Sequence, residues 1–235
     1  MTYKIYFPGF LQNRPERDTL INKFEDLLDD GIEVCVDSEA DPPDYNMLIN
    51  GRASEEQLTA SSNLKAVVIP WAGLPKQMAD LMRAFPDISL HNLHHNAITT
   101  AETALALLFT AAKQTHVYDA QLRQDDWRGR YRPNPAIKLS GKSMLILGYG
   151  SIGKHVARAA LAMGMKVKGI KRTASVDVLG VESFPVEALP DLLPETHVLM
   201  VTMPLTDSTE RMIGEHELSL MKEPAILINV GRGPV

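Results

Sequence analysis

The chain has 235 residues, 45% of them hydrophobic, and a formal charge of −5, the profile of a globular protein with room for one large or two small domains. It has no dense basic run to recruit nucleic acid, no apolar stretch near the ~20 residues of a membrane span and no signal-peptide pattern after Met1-Thr-Tyr-Lys-Ile-Tyr6. Cys35 is the only cysteine, which excludes an internal disulfide and a cysteine-rich metal site, so a cytoplasmic protein without a metal is expected.

Apolar runs alternate with helical stretches from the start. The runs Tyr3–Phe7, Ile32–Asp37, Met47–Asn50, Ala66–Pro70 and Ile88–Leu93 read as strands. Helices are predicted between them at 15–30, 54–62 and 75–84, an alternation that argues for βα units around a parallel sheet. Cys35 falls within an alternating strand and reads as a small core residue.

A long helix follows. Ala101, Leu105, Leu108, Ala112, Thr115, Tyr118 and Leu122 recur at helical spacing and give it one apolar face. Thr99-x-x-Glu102 has the form of a capping box, with Glu102 reaching back to the cap amide. The helix gives way to Asp125-Asp-Trp-Arg-Gly129 and a proline-bearing loop, Arg132-Pro-Asn-Pro135.

A second series of strands runs through Met144–Leu147, Lys166–Ile170, Val198–Met203 and Ala225–Val230, with helices predicted over Ile152–Met163 and Gly214–Met221. Its first strand leads directly into Gly148-Tyr149-Gly150-Ser151-Ile152-Gly153 and then a helix with an apolar face. Strand, glycine turn and helix together are the context in which this motif binds a dinucleotide. Gly148 permits the tight turn, Gly150 lets the backbone approach a pyrophosphate, and Gly153 lets helix and strand pack closely. The helix N-terminus offers free amides and a positive dipole end to the phosphates.

At this point the chain resembles the NAD(P)-dependent D-2-hydroxyacid dehydrogenase family, which includes phosphoglycerate dehydrogenase, glyoxylate/hydroxypyruvate reductase and formate dehydrogenase. The matching features come in the family's order: Trp71-Ala-Gly73, Asn96-Ala-Ile-Thr-Thr-Ala-Glu102, Leu139-Ser-Gly-Lys142 before the glycine motif, Met203-Pro-Leu-Thr206 with Thr209, and Ile228-Asn-Val-Gly-Arg-Gly-Pro-Val235. The resemblance covers essentially the whole chain. It implies an α/β protein with a flavodoxin-like substrate domain over residues 1–99 and a Rossmann NAD(P)-binding domain with a parallel sheet over 100–235.

It also implies an oxidoreductase moving hydride between the nicotinamide and a small 2-oxo acid or D-2-hydroxy acid, of the glyoxylate or hydroxypyruvate type. Arg232 falls at the family's catalytic arginine, where a guanidinium can hold the substrate carboxylate and stabilise the oxygen as charge develops. The substrate carboxylate is expected at the turn Ala72-Gly73-Leu74, and Asn96 matches a family position near the substrate, although it equally suits a turn residue bonded to its own backbone. Trp71 either walls that pocket or is a structural tryptophan. His94 and His95 read as a pocket rim or plain surface. His91, His94, His95 and Trp71 are the candidates to shape substrate choice. Cofactor contacts are expected from Gly148, Tyr149, Gly150, Ser151, Ile152 and Gly153, and further along from Met203, Pro204, Thr209, Val230 and Gly231.

Cofactor choice follows from the end of the second strand of the second series. An NAD site usually carries Asp or Glu there to bind the ribose hydroxyls. This chain has Lys171, Arg172 and Thr173 instead, groups that can bind a 2′-phosphate through charge-assisted hydrogen bonds. NADP(H) is therefore expected to be preferred, with NAD(H) possible.

In the family, the glutamate and histidine that complete catalysis come after the arginine loop, and this sequence stops at Val235. The resemblance thus implies a Rossmann domain that is incomplete at its C-terminal side and a chain that is inactive as it stands. The strand Ala225–Val230 is then expected to lie as an exposed hydrophobic edge. The long helix and its Trp127 loop resemble the family's dimer arm, so a homodimer is expected. The alternatives are a non-catalytic dinucleotide-binding dimeric scaffold, as in the C-terminal-binding corepressors, and an amide- or amine-forming dehydrogenase on the same fold.

Overall fold

The computed structural model describes residues 2–9, 17–36, 44–131 and 136–235. The ends of two sequence-predicted elements, the helix from 15 and the strand to Asp37, and the whole loop Arg132–Pro135 lie outside the described residues. The chain divides into two compact units, Met1–His95 and Asn96–Val235.

The first unit holds β1 (Tyr3–Phe7), α1 (Arg17–Glu25), β2 (Ile32–Val36), β3 (Met47–Ile49), α2 (Glu55–Thr59), β4 (Ala66–Ile69), α3 (Lys76–Met82) and β5 (Ser89–Asn92). The strands form one parallel sheet in the order β2-β1-β3-β4-β5, the flavodoxin-like order. Ser54 starts α2 with a capping box: its hydroxyl accepts the Gln57 amide at 3.2 Å, and the Gln57 side chain accepts the Ser54 amide at 3.1 Å. Leu48, Leu58, Val67, Ile69, Met78 and Met82 form the core of this unit.

The second unit begins with α4 (Ala97–Lys113) and α5 (Thr115–Leu122). The predicted single helix is broken at Gln114, whose φ of 55° is left-handed. The physical cause is a competing hydrogen bond: the Ile137 amide takes the carbonyl of Ala112 at 2.7 Å, and Lys113 Nζ donates to the carbonyl of Ile137 at 2.8 Å. Ala101, Leu108 and Ala112 are buried as the helical spacing predicts, but Leu122, beyond the break, is 48% exposed. The capping box at Thr99 is a second correction. The residue that starts α4 is Asn96, so Thr99 and Glu102 both lie within the helix, and the Thr99 hydroxyl donates to the Asn96 carbonyl at 3.0 Å. Glu102 has no capping role.

The rest of the unit comprises β6 (Ser143–Leu147), α6 (Ser151–Ala162), β7 (Lys166–Ile170), β8 (Ser175–Val176), β9 (Glu182–Phe184), α7 (Leu189–Leu192), β10 (Val198–Val201), α8 (Glu215–Ser219) and β11 (Ile226–Asn229). Its sheet runs β11-β10-β6-β7-β9-β8, parallel except for the antiparallel β8. Without β8 this is the Rossmann arrangement, in which strand order reverses beside the first strand and ligands bind outside the carboxyl ends there. Side chains of β6 alternate between two cores, as strand geometry requires. Met144 and Ile146 meet Leu108, Val156 and Ala160, whereas Leu145 and Leu147 meet Leu193, Leu199 and Val201.

β8 and β9 are not legible as apolar runs and were not predicted. β11 does lie at the sheet edge, but Ile226 and Ile228 are buried in the core that contains α4, leaving Leu227 43% exposed. No helix of the described residues is long and apolar enough to cross a membrane.

Candidate functional site: a glycine turn at the carboxyl end of the sheet

The glycine turn joins β6 to α6 at the carboxyl edge of the second sheet. Gly148 adopts φ +96°, and a Cβ there would stand 2.6 Å from the Met203 amide nitrogen. At Gly153 a Cβ would stand 2.9 Å from Ile146 Cγ2, so this position brings helix and strand together. Gly150 differs, because a Cβ there would meet nothing nearer than the Gly148 carbonyl at 3.9 Å. Its open side is where another molecule can approach the backbone.

The amides of the motif fall into two groups. Those of Gly148 and Tyr149 both donate to the carbonyl of Ile170, at 3.0 and 2.7 Å, and that of Gly150 to Gly148 at 2.7 Å. Those of Ser151, Ile152 and Gly153, the first turn of α6, have no partner among the described residues, which leaves them and the positive end of the helix dipole for an anion. Tyr149 thus departs from the sequence expectation. Its amide is engaged and its ring is 2% exposed, packed away from the open side of the turn.

The loop after β10 meets this turn, and the loop after β11 meets the β10 loop. Thr202 Oγ1 donates to the Gly148 carbonyl at 2.7 Å, fastening the start of the Met203–Pro204 loop. Thr209 Oγ1 donates to the Pro204 carbonyl at 2.8 Å and accepts the Thr206 amide at 2.7 Å, so its hydroxyl shapes that loop. Val230 continues the pairing with Val201 at 3.0 Å, and Gly231 abuts the Met203 carbonyl where a side chain would clash. Asn229 then ties the following loop: its side chain accepts the Gly231 amide at 2.9 Å and donates to the Arg232 carbonyl at 3.0 Å. The Arg232 side chain is exposed, and its Nη1 donates to the Gly231 carbonyl at 2.9 Å.

Lys171, Arg172 and Thr173 follow β7. The Lys171 amide bonds the Phe184 carbonyl at 3.0 Å, which ties the cationic segment to β9. Neither cation has an ion-pair partner among the described residues. Asp177 stands beyond them. A hydrogen bond from the Tyr149 hydroxyl, with two from backbone amides, holds its carboxyl below the usual carboxylate range. Burial and the same hydrogen bond raise the Tyr149 hydroxyl well above the ordinary phenol value.

In the first unit, the amides of Ala72, Gly73 and Leu74 have no partner among the described residues, and Asn92 Nδ2 donates to the Ala72 carbonyl at 2.7 Å. Trp71 lies against Gly51, where a Cβ would collide with the indole, so part of its surface serves the packing of this unit. Asn96 is exposed and starts α4 without a side-chain capping bond, and His91, His94 and His95 are exposed. Sequence reading missed Thr202, Asn229 and Asp177. Asn229 was within a recognised motif, and the strand-interior Gly169 was a signal of close packing.

The fold and the turn define a dinucleotide-binding α/β protein. Residues 105–235 match the D-isomer specific 2-hydroxyacid dehydrogenase NAD-binding domain, and the chain belongs to that family. It is 39% identical over 144 residues to glyoxylate reductase of Aeropyrum pernix, a match over 58% of this chain and 42% of that protein. Against glyoxylate reductase of Thermococcus onnurineus it is 29% identical over 230 residues, 92% of this chain and 66% of the relative. The chain therefore spans less than two thirds of the length of these relatives. The crystal structure of an NADPH-dependent glyoxylate/hydroxypyruvate reductase from Sinorhizobium meliloti, in complex with NADP and sulfate, superposes with a TM-score of 0.78 at 22% identity, covering 100% of this chain and 74% of that one. At that identity the likeness establishes the fold.

Proposed function

We propose that the protein is an oxidoreductase acting on a CH–OH group, using NADPH to interconvert a small 2-oxo acid and its D-2-hydroxy acid, of the glyoxylate or hydroxypyruvate kind. The observation that carries the reading is an open, amide-lined glycine turn together with Lys171 and Arg172, without ion-pair partners among the described residues, where an NAD site has an acid. Family membership and the named activities of the relatives support the substrate class.

When bound, the nicotinamide dinucleotide supplies the hydride. The amides of Ser151, Ile152 and Gly153 take its pyrophosphate at the N-terminus of α6, with Gly150 leaving room for the approach. Lys171, Arg172 and the Thr173 hydroxyl take the 2′-phosphate through charge-assisted hydrogen bonds. The loops through Met203, Pro204 and Thr209, and through Val230 and Gly231, flank the cofactor at the carboxyl edge of the sheet.

The Arg232 guanidinium presents a planar fork suited to the substrate carboxylate and to the oxygen that gains negative charge as hydride arrives. In the first unit, the open amides of Ala72, Gly73 and Leu74 suit a carboxylate, and Asn96 is assigned to the substrate side. We assign the protein to the cytoplasm as a homodimer. Exposed apolar side chains on α4, α5 and the following loop, among them Leu107, Phe109, Leu122 and Trp127, support the pairing.

Titrating the purified protein with NADPH and NADH tests the cofactor reading, which fails if the two bind equally. Assaying NADPH oxidation against glyoxylate and hydroxypyruvate tests the substrate class. A protein that also carries the family's glutamate and histidine and binds NADPH firmly, but reduces neither acid nor any related 2-oxo acid, would refute it. Sedimentation at micromolar concentration tests the homodimer, which a monomer would exclude.

A further inference from the structure

Tyr149 lies inside the glycine motif, yet its ring serves a different part of the unit. The ring packs on Gly169 of β7, where a Cβ would stand 2.6 Å from Tyr149 Cγ. A glycine within a strand weakens it, and here the missing side chain admits the ring. At the far end, the Tyr149 hydroxyl donates to Asp177 Oδ2 at 2.6 Å. Asp177 Oδ1 accepts the amides of Leu179 and Val181 at 2.9 and 3.2 Å, and the Gly180 amide donates to the Asp177 carbonyl at 2.9 Å.

The segment between β7 and this turn is Lys171–Val176, and it is held at both ends. Lys171 is tied to Phe184 at its start. Near its end, Ser183 Oγ, on a side chain in the core of the hairpin, accepts the Ser175 amide at 3.1 Å and donates to the Ser175 carbonyl at 2.8 Å. The Tyr149–Asp177 bond adds a link from this hairpin to the residue that forms the phosphate turn. The two cations sit between these anchors, while the Asp177 carboxylate, a few residues on, accepts three hydrogen bonds.

We infer that Tyr149 is a positioning residue for cofactor choice: its bond to Asp177 holds the Lys171–Thr173 segment in register with the glycine turn. The inference rests on the NADPH reading above. Losing the hydroxyl cuts the link between the hairpin and the glycine turn while the Phe184 and Ser183 ties remain. The effect falls on the 2′-phosphate, a group that NADH lacks.

The test compares the wild type, Tyr149→Phe and the double variant Tyr149→Phe/Asp177→Asn. Dissociation constants for NADPH and NADH are read from the emission of the bound dinucleotide, and exchange of the Leu179 and Val181 amides from hydrogen-exchange mass spectrometry. Phe keeps the ring on Gly169, so the expected result is selective. NADPH affinity falls about five- to tenfold, the scale of one ordinary hydrogen bond, NADH affinity changes less than twofold, and the two amides exchange faster. The double variant shows the NADPH loss of Tyr149→Phe and no more, because the link is already cut. A purely structural role would weaken both dinucleotides alike. Equal losses, or no loss, in a protein whose wild type prefers NADPH overturn this inference and leave the NADPH reading intact. A wild type that binds both dinucleotides equally removes the reading, and this inference with it.

Discussion

Gly148 and Met203 share a space that leaves no room for a side chain: a Cβ on Gly148 would stand 2.6 Å from the Met203 amide nitrogen and 2.7 Å from Met203 Cβ. The turn after β6 and the loop after β10 are thereby brought into direct backbone contact. The Thr202 hydroxyl adds a bond to the Gly148 carbonyl at 2.7 Å.

Gly148→Ala is expected to strain the left-handed turn and push the Met203 loop outward. A loss of about 2 kcal/mol corresponds to a Tm lowered by roughly 4–8 °C in a chain of this size. Differential scanning calorimetry gives the stability, and dinucleotide titration gives the accompanying loss of binding. A variant with unchanged Tm and affinity would show that the loop yields without cost.

Replacing Lys171 and Arg172 by Gln should weaken NADPH about a hundredfold, because two charge-assisted hydrogen bonds are lost, and NADH by less than about threefold. NADPH affinity should also fall with added salt more steeply in the wild type than in the variant, since these exposed charges are screened. Parallel losses for both dinucleotides would contradict the assignment.

Among the described residues the Arg232 side chain bonds only the neighbouring Gly231 carbonyl, so little of the fold depends on it. In a protein that also carries the family's glutamate and histidine, Arg232→Gln should leave Tm and NADPH binding near their wild-type values while lowering turnover of a 2-oxo acid by about a thousandfold, the scale of removing one group that stabilises a developing oxyanion. Asn229→Ala, which unties the loop at both Gly231 and Arg232, should lower turnover less and by way of kcat. Steady-state kinetics beside the binding titration separates the two. Full turnover in Arg232→Gln would exclude the role.

His197 stands at the start of β10 and bonds Ser143 Oγ of β6 through Nδ1 at 2.7 Å. Burial, with Lys142 and Lys222 nearby, holds its pKa below the ordinary histidine value. A lowered pKa means that the unfolded chain binds the proton more readily. The stabilisation is therefore present above about pH 6.5 and is lost as pH falls through the folded-state value. Denaturant melts at pH 7.5 and pH 5 should show a fall in stability that His197→Asn reduces. An unchanged pH dependence in the variant would assign the fall to other groups.

Much of the second unit is legible in the sequence because its constraints are local. The apolar run of β6, the three motif glycines and the apolar face of α6 lie within one stretch and agree with one another, so the strand, the turn and the helix follow from short-range sterics and periodicity. Lys171 and Arg172 are similarly visible, since a strand end is a position that can be counted from the motif. β9 is not legible. Its Glu182-Ser-Phe184 carries no apolar pattern, and it is a strand because β7 and β8 pair with it. Gln114 is not legible either, because the helical spacing runs on through it.

By itself, then, the sequence determined where strands and helices recur, that a glycine turn joins β6 to α6, and that cations stand in the place of an acid. Only the tertiary structure decided which groups remain open. It engaged the Tyr149 amide with Ile170 and its hydroxyl with Asp177, ended α4 by giving the Ala112 carbonyl to Ile137, and set Asn229 around the Arg232 loop. The physical reason is that a hydrogen-bonding group can satisfy several partners in principle, and the partner it takes depends on which residue, distant in sequence, the packing brings within reach.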